Sequence, residues 1–413
     1  MPQPVGWSPE ETWRLLKTIR RQLSIEVPIL TPQGYRLCYF LHQDLLNRLF
    51  DFERYCRPES ELYAQLADRQ GQPFMVKIQI EEAIATSTLD GVTIPYQQAE
   101  RLIRLDRKPR DSGERVIFNT YRLMTDIASY VGERFSPELL WEFYCRVTDG
   151  VDPSAIARGP ERSPLARPEY RVLSSQQTDR HLEEICAYAN DEIGDPDEHP
   201  AIRAVVLRGI MRQWFPLPDW NGNVASILYR LYCLKHNFPV LAYLPFSRLA
   251  LDWAEGRIGP PNVMASDLPP QYVDDRGDED HTPVLTLAIQ LVHYGVMELV
   301  TYIKQTKERD EKILAALRHD PSLNHRQRSI LSRALRHPDA EFFIRYHQVN
   351  YNVAYATARA DLLGLVEKGY LVQLKKKKAF VFRPHEDLQK RLRFEVEHLP
   401  SGEVMSQEQF DDE

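Results

Sequence analysis

Several things are scarce in this 413-residue chain, and each scarcity excludes a class. The five cysteines (Cys38, Cys56, Cys145, Cys186 and Cys233) are scattered and include no CxxC pair. That argues against a disulfide framework and against a cysteine-built zinc site. No apolar run approaches the roughly 18 to 20 residues of a membrane-spanning helix. The start, MPQPVGWSPEETW, has no basic-then-apolar leader, so a cytoplasmic protein without a membrane partner is expected. There is no internal repeat. Charged residues make up 27% and hydrophobic residues 43%, the balance of an ordinary globular chain rather than a disordered one. The length predicts two or three domains.

The net charge of −7 is unevenly placed. Between Leu323 and Arg393 fifteen Lys and Arg face six Asp and Glu, a local balance of +9, which leaves −16 on the remainder. A basic module on an acidic body suits a local polyanion partner.

Along the chain, helical signals dominate. In WSPEETWRLLKTIRRQL, Ser8 is a candidate N-cap with Pro9 at the first helical position and acids in the first turn. A helix is expected from Gln72 to Thr86, followed by the loop STLDGVTIP. SPELLWEFYCRVTDG repeats the Ser-Pro-Glu start and sets Leu139, Leu140, Phe143 and Val147 on one face. Residues 150 to 175, rich in Pro, Arg and Ser, read as a long loop with a short hairpin. Helices resume from Thr178. After the turn FPLPDWNGN an amphipathic central helix is expected to run to His236, with Val224, Ile227, Leu228 and Leu231 toward a core. The Pro-rich acidic stretch PPNVMASDLPPQYVDDRGDEDHTP reads as an exposed linker. His281 and His293, twelve apart, read as loop and core residues rather than metal ligands.

At the C-terminal end two short helices precede VAYATARADLLGLVEKG, where Ala358, Leu362, Leu365 and Val366 form a buried stripe and Gly369 suits the C-terminal cap. YLVQL and AFVFR then flank a turn of four lysines. Three helices and a basic hairpin resemble a winged helix-turn-helix. That resemblance implies that Tyr355 and Arg359 face base edges of double-stranded DNA, while Lys375, Lys376, Lys377 and Lys378 neutralise phosphates. The same features also suit a packing or dimerisation module with a solvated turn.

FPLPDWNGNVASILYRLYCLKHNFP resembles the central loop and helix of the Fic (Fido) family, whose pattern is His-Pro-Phe-x-Asp/Glu-Gly-Asn-Gly-Arg followed two residues later by Arg. Pro216, Asp219, Asn221 and Gly222 match it. Upstream, Thr86, Asp90 and Gly91 resemble the family's inhibitory segment, Ser/Thr-x-x-x-Glu before Gly or Asn. The resemblance spans most of Leu62 to Arg383. It implies a mainly α chain: an N-terminal helical region (1–105), a Fic-type core with a small flap hairpin (106–305), a winged helix-turn-helix (306–393) and an acidic tail (394–413). It also implies AMP transfer from ATP to a protein hydroxyl. A histidine serves as base, the acid holds magnesium, and backbone amides with arginine cradle the phosphates. By that mapping Asn221, Gly222 and Asn223 are the phosphate-binding positions and Asp219 the magnesium position, although Asp219 and Asn221 equally suit helix capping. Arg158, Arg162, Arg167 and Arg171 surround the flap, where a protein partner would dock.

The departures fall where the chemistry is most demanding. Phe215 stands in place of the histidine, Trp220 of the first glycine, and Asn223 and Ser226 of the two arginines. Loss of the base alone costs about a hundred- to ten-thousand-fold in rate. No catalytic residue and no required cofactor are therefore expected, with ATP and Mg the ligands such a pocket would take. With the arginine absent, Asp90 is expected to restrain nothing, and Asp90-Gly91 equally suits a plain turn. Three functions stay open: a degenerate Fic-like homodimeric DNA-binding regulator of transcription or defence, a nucleotidyltransferase of altered chemistry, and a structural interaction protein.

Overall fold

Ser8 opens the first helix as its sequence requires. Its Oγ accepts the Glu11 N–H at 3.2 Å while the Glu11 carboxylate takes the Ser8 N–H at 2.8 Å, a reciprocal pair that satisfies two orphan donors. The computed structural model describes residues 6–31, 34–68, 72–152, 175–213, 217, 220–258, 272–273, 278–318, 322–336, 340–351, 353–376 and 379–392. The expected flap hairpin, with Arg158, Arg162, Arg167 and Arg171, lies outside them, as do Phe215, Pro216, Asp219, Lys377, Lys378 and the acidic tail.

The chain is mainly α and forms two compact units, Met1–Thr301 and Tyr302–Glu413. The first contains α1 (Pro9–Gln22), β1 (Ser24–Leu30), β2 (Arg36–Phe40), α2 (Gln43–Tyr55), α3 (Glu61–Ala67), α4 (Gln72–Leu89) and α5 (Tyr96–Arg104). It continues through α6 (Ser112–Asp126), α7 (Pro137–Thr148), α8 (Ser175–Ala189), α9 (Pro200–Gln213), α10 (Asn221–Lys235), α11 (Pro239–Tyr243) and α12 (Phe246–Ala254). After β3 (Tyr272–Val273) and β4 (Asp278–Asp280), α13 (Thr282–Arg318) passes from the first unit into the second. The second unit adds α14 (His325–Arg336), α15 (Ile344–Tyr351), α16 (Tyr355–Glu367), β5 (Leu371–Lys376), β6 (Ala379–Pro384) and α17 (Leu388–Arg391).

The N-terminal region holds strands as well as helices, contrary to the helix-only expectation. β1 and β2 pair antiparallel, and β4 lies parallel to β2 in a sheet of order β1-β2-β4-β3. Val27 and Ile29 on β1 and Leu37 and Tyr39 on β2 are buried at period two. Pro28 is tolerated because β1 is an edge strand. The acidic segment expected as a linker is partly anchored here, since Asp278–Asp280 forms β4 and Asp280 pairs with Arg20 at 2.8 Å.

α7 starts as read: Ser136 Oγ accepts the Leu139 N–H, and Leu139, Leu140, Phe143 and Val147 are buried. α10 differs from its reading. Every residue from Asn221 to Cys233 is buried, polar ones included, because α4, α6, α7, α9 and α11 all pack around it. Contrary to the expectation that no apolar run approaches spanning length, α13 contains a stretch, Thr282–Ile313, long and apolar enough by length and composition to cross a membrane. Leu285, Ile289, Val292, Val296 and Leu299 along it are buried within the protein, a stripe that turns one face of the helix to a core.

In the second unit Ala358, Leu362 and Leu365 are fully buried against Ile330, Leu331, Phe342, Leu371 and Phe382. Val366 is partly buried beside them. Gly369, at φ 74°, closes α16 with the Tyr370 N–H on the Leu365 carbonyl.

Candidate functional site

The site is the start of α10, and α4 reaches it from 130 residues earlier. α4 runs three residues past its expected end. It stops where Gly91 takes φ 99°, with the Gly91 N–H on the Thr88 carbonyl and the Val92 N–H on the Ser87 carbonyl. This double closure needs a left-handed residue, which glycine supplies without a Cβ penalty. It also places Asp90 at the helix end, facing α10.

The Asp90 carboxylate sits on the N-terminus of α10. One oxygen, Oδ2, accepts the Asn223 backbone N–H at 3.0 Å and the Asn223 side-chain amide at 2.8 Å. Arg212, from α9, places Nη1 3.7 Å from Oδ1 and donates Nη2 to the Leu89 carbonyl at 3.3 Å. A buried anion at a helix N-terminus gains from the aligned N–H groups. Burial still raises the Asp90 pKa from its usual value, against the opposing pull of Arg212, Asn223 and Arg208. Asp90 is therefore tied to α10 through Asn223, the backbone and side-chain donors of one residue meeting one carboxylate oxygen.

Gly222 makes this approach feasible. A Cβ there would run into the Asp90 carboxylate and lie 2.6 Å from Arg212 Nη1. Thr86 Oγ1 donates to the Gly222 carbonyl at 3.0 Å. The remaining asparagine acceptor is also used: Asn223 Oδ1 takes Ser87 Oγ at 3.0 Å and Thr120 Oγ1 at 3.1 Å. Asn221 turns its amide back on the loop, accepting the Leu217 N–H at 2.9 Å and donating to the Leu217 carbonyl at 3.0 Å. Trp220 takes a left-handed φ of 53° and is buried. For a bulky residue that conformation costs of order 1–3 kcal/mol.

A second carboxylate repeats the arrangement two turns earlier on α4. Glu82 accepts the Ser247 N–H at 2.7 Å at the start of α12, and Ser226 Oγ donates to it at 3.0 Å. Ser226 thus ties α10 to α4. Two buried arginines lie behind. Arg208 donates Nη2 to Ser247 Oγ at 2.8 Å, and burial pulls its pKa down to about 10 despite Glu82. Arg230 stacks 5.4 Å over the Tyr243 ring, and burial lowers its pKa too. It lies within the α10 core, not at the helix start.

Glu82, Arg208 and Arg212 were not singled out in the sequence. One signal was present: Arg208 and Arg212 stand one turn apart on a helix, PAIRAVVLRGIMRQ, that is apolar but for them, Arg203 and Gln213. No group of three or more His, Cys, Asp or Glu side chains that would hold a metal occurs among the described residues. His293 bonds Asp51 at 2.8 Å and packs on Phe52.

The C-terminal candidates separate from this site by unit. Tyr355 and Arg359 are exposed on α16, and Lys375 is exposed on β5. Asp361 fixes the helix behind them. It accepts Asn324 Nδ2 at 2.7 Å and Arg326 Nε at 2.6 Å, and bonds His347 Nε2 at 3.1 Å. Burial opposes its charge, but Arg326, Asn324 and His347 together hold its pKa below the usual value.

No protein-family model and no curated protein matches the sequence. Solved structures do. A Fic family protein from Desulfovibrio desulfuricans G20 superposes with a TM-score of 0.52 at 14% identity, over 84% of this chain and 98% of that one. Fic-1 from C. elegans gives 0.42 at 13% identity, over 72% of this chain and 76% of its own. A Fic domain containing signaling protein from Bacteroides thetaiotaomicron VPI-5482 gives 0.43 at 12%, over 64% and 97%. Resting on the first of these, the structural likeness establishes that the chain has a Fic-type fold.

Proposed function

We propose that this Fic-fold chain transfers no AMP and works as a DNA-binding regulator, with its C-terminal unit acting as a winged helix. One observation carries the first half: the N-terminus of α10, where a phosphate would need the backbone amides, is filled by the Asp90 carboxylate hydrogen-bonded to Asn223. A triphosphate with magnesium does not fit the residues as they stand, because a second anion there would meet Asp90 at close range without the motif's two arginines. Support for the second half is the local charge of +9 together with the exposure of Arg359, Tyr355 and Lys375 on one unit. Fluorescence anisotropy with a labelled duplex across a salt series tests it. The affinity should fall linearly with salt on logarithmic axes, as counterion release requires. An absence of binding at low salt would remove the DNA half.

A second reading, nucleotidyl transfer by altered chemistry, is favoured by Arg212, which brings a cation to the start of α10 from outside the motif. Incubation with labelled ATP distinguishes the two. Protein labelling that Asp219→Ala abolishes would displace the first reading.

A further inference from the structure

The β5–β6 hairpin carries apolar surface that its own core does not use. Its register pairs Gln373 with Phe382, Lys375 with Phe380 and Lys376 with Ala379. Side chains alternate along a strand, so Phe380 and Phe382 share one face. Phe382 is buried in the core with Leu362, Leu365 and Leu371. Phe380, one step nearer the tip, is 50% exposed, and Lys375 directly across from it is exposed as well. On the other face of β5, Val372 and Leu374 are 38% and 43% exposed. Single apolar residues are scattered over any surface, but three on one small hairpin exceed that scatter. A solvated turn would need only its lysines. The strand that carries Phe380 is also fastened: Phe342 and Phe382 exchange both backbone bonds, at 2.8 and 3.0 Å, and Arg383 pairs with Glu341. The ring is thus presented from an anchored strand, at little ordering cost on binding.

The charge around the ring selects the partner. From Val372 to Arg383 the sequence holds five cations and no acid, which calls for a polyanion. Duplex DNA adds to its phosphates a flat apolar slot between adjacent base pairs. We propose that Phe380 is a wedge that enters such a base step while Lys375 beside it neutralises a flanking phosphate. The wedge presupposes the duplex binding proposed above. Apolar side chains inserted in this way partly unstack the step and kink the duplex. The cost is least at flexible pyrimidine–purine steps and greatest in stiff A-tracts. The hairpin therefore favours TA steps without reading a base edge.

Two duplexes of equal charge, each about two helical turns long, test this at about 50 mM salt. One is built of TA steps with 2-aminopurine replacing central adenines, and the other is an A-tract. Anisotropy reads binding, and 2-aminopurine fluorescence, which rises on unstacking, reads the wedge. The natural chain should bind the TA duplex more tightly and brighten it. Phe380→Ala should lose the brightening and bind the TA duplex about five- to tenfold more weakly, with an unchanged salt slope because no charge is removed. Phe380→Leu should restore part of both. Since Phe380 is half exposed, a matching thermal melt confirms that each variant folds. Lys375→Ala should weaken both duplexes and still brighten the bound one. Binding without brightening, or brightening that survives Phe380→Ala, overturns the wedge and leaves the duplex reading standing. Binding to neither duplex overturns both.

Discussion

Asp90 and Asn223 stand 133 positions apart in the sequence, yet one carboxylate oxygen of the first holds both the backbone N–H and the side-chain amide of the second. The fold therefore holds a carboxylate of its own at the N-terminus of α10.

Removing that anion should be costly. Asp90→Ala leaves two Asn223 donors and the Arg212 guanidinium facing each other without a negative charge. The expected loss is about 2–4 kcal/mol, measured by urea unfolding at neutral pH. Asp90→Asn, which keeps the shape, should lose less.

Gly222→Ala should destabilise by about 1–3 kcal/mol through overpacking. In an Asp90→Ala background the cost should shrink, because the carboxylate that the new methyl would strike is gone. A double-mutant cycle in thermal stability reads the coupling. Simple additivity would mean the two do not meet.

Glu114 governs part of the acid response. Burial disfavours its charge, but Arg107 at 2.6 Å, Gln98 at 2.7 Å and the Arg110 N–H at 2.8 Å together hold its pKa at about 2 instead of 4.5. A lowered folded value means stability that is fully present above about pH 4.5 and lost as pH falls toward 2. The stability gap between the natural chain and Glu114→Gln should be about 2–3 kcal/mol at neutral pH and narrow across that window in urea titrations. Asp90 runs the other way: its raised pKa makes its protonation favour the folded state on acidification.

Asp361→Ala should unfold the second unit selectively. It strips Arg326, Asn324 and His347 of a shared acceptor, at an expected cost of about 3–5 kcal/mol. Hydrogen exchange would show lost protection in α14, α15 and α16 while α10 keeps its own.

Arg359→Ala and Lys375→Ala should leave stability unchanged, since both side chains are exposed. On the proposed function Lys375→Ala lowers affinity for all duplexes and reduces the salt slope by about 1. Arg359→Ala should relax sequence preference.

Much of this was readable along the chain because it depends on neighbours in sequence. Ser8 and Ser136 cap helices three residues away, Gly369 closes one five residues back, and the α16 stripe needs only helical periodicity. What was not readable depends on distant partners. β1 and β2 are short strands completed by β4, some 240 residues on, and no local period distinguishes SIEVPIL from a proline-broken helix. Asn223, Ser226 and Arg230 look like the solvent side of an amphipathic helix. Asn223 and Ser226 are buried because α4 supplies Glu82, Thr86, Ser87 and Asp90 as partners, and Arg230 because it lies over the Tyr243 ring inside the α10 core. Asp361 likewise reads as a surface acid until Arg326 and His347 are brought to it.

The eight-residue interval from Glu82 to Asp90 makes α4 a ruler. At 1.5 Å per residue it sets roughly 12 Å between the carboxylate that begins α12 and the one that begins α10. Inserting or deleting a single residue within that interval would rotate one acid by about 100° relative to the other, so the two helix starts could no longer be held at once. Length variation in this segment is thus forbidden by geometry, whereas substitutions that keep the interval are judged one contact at a time.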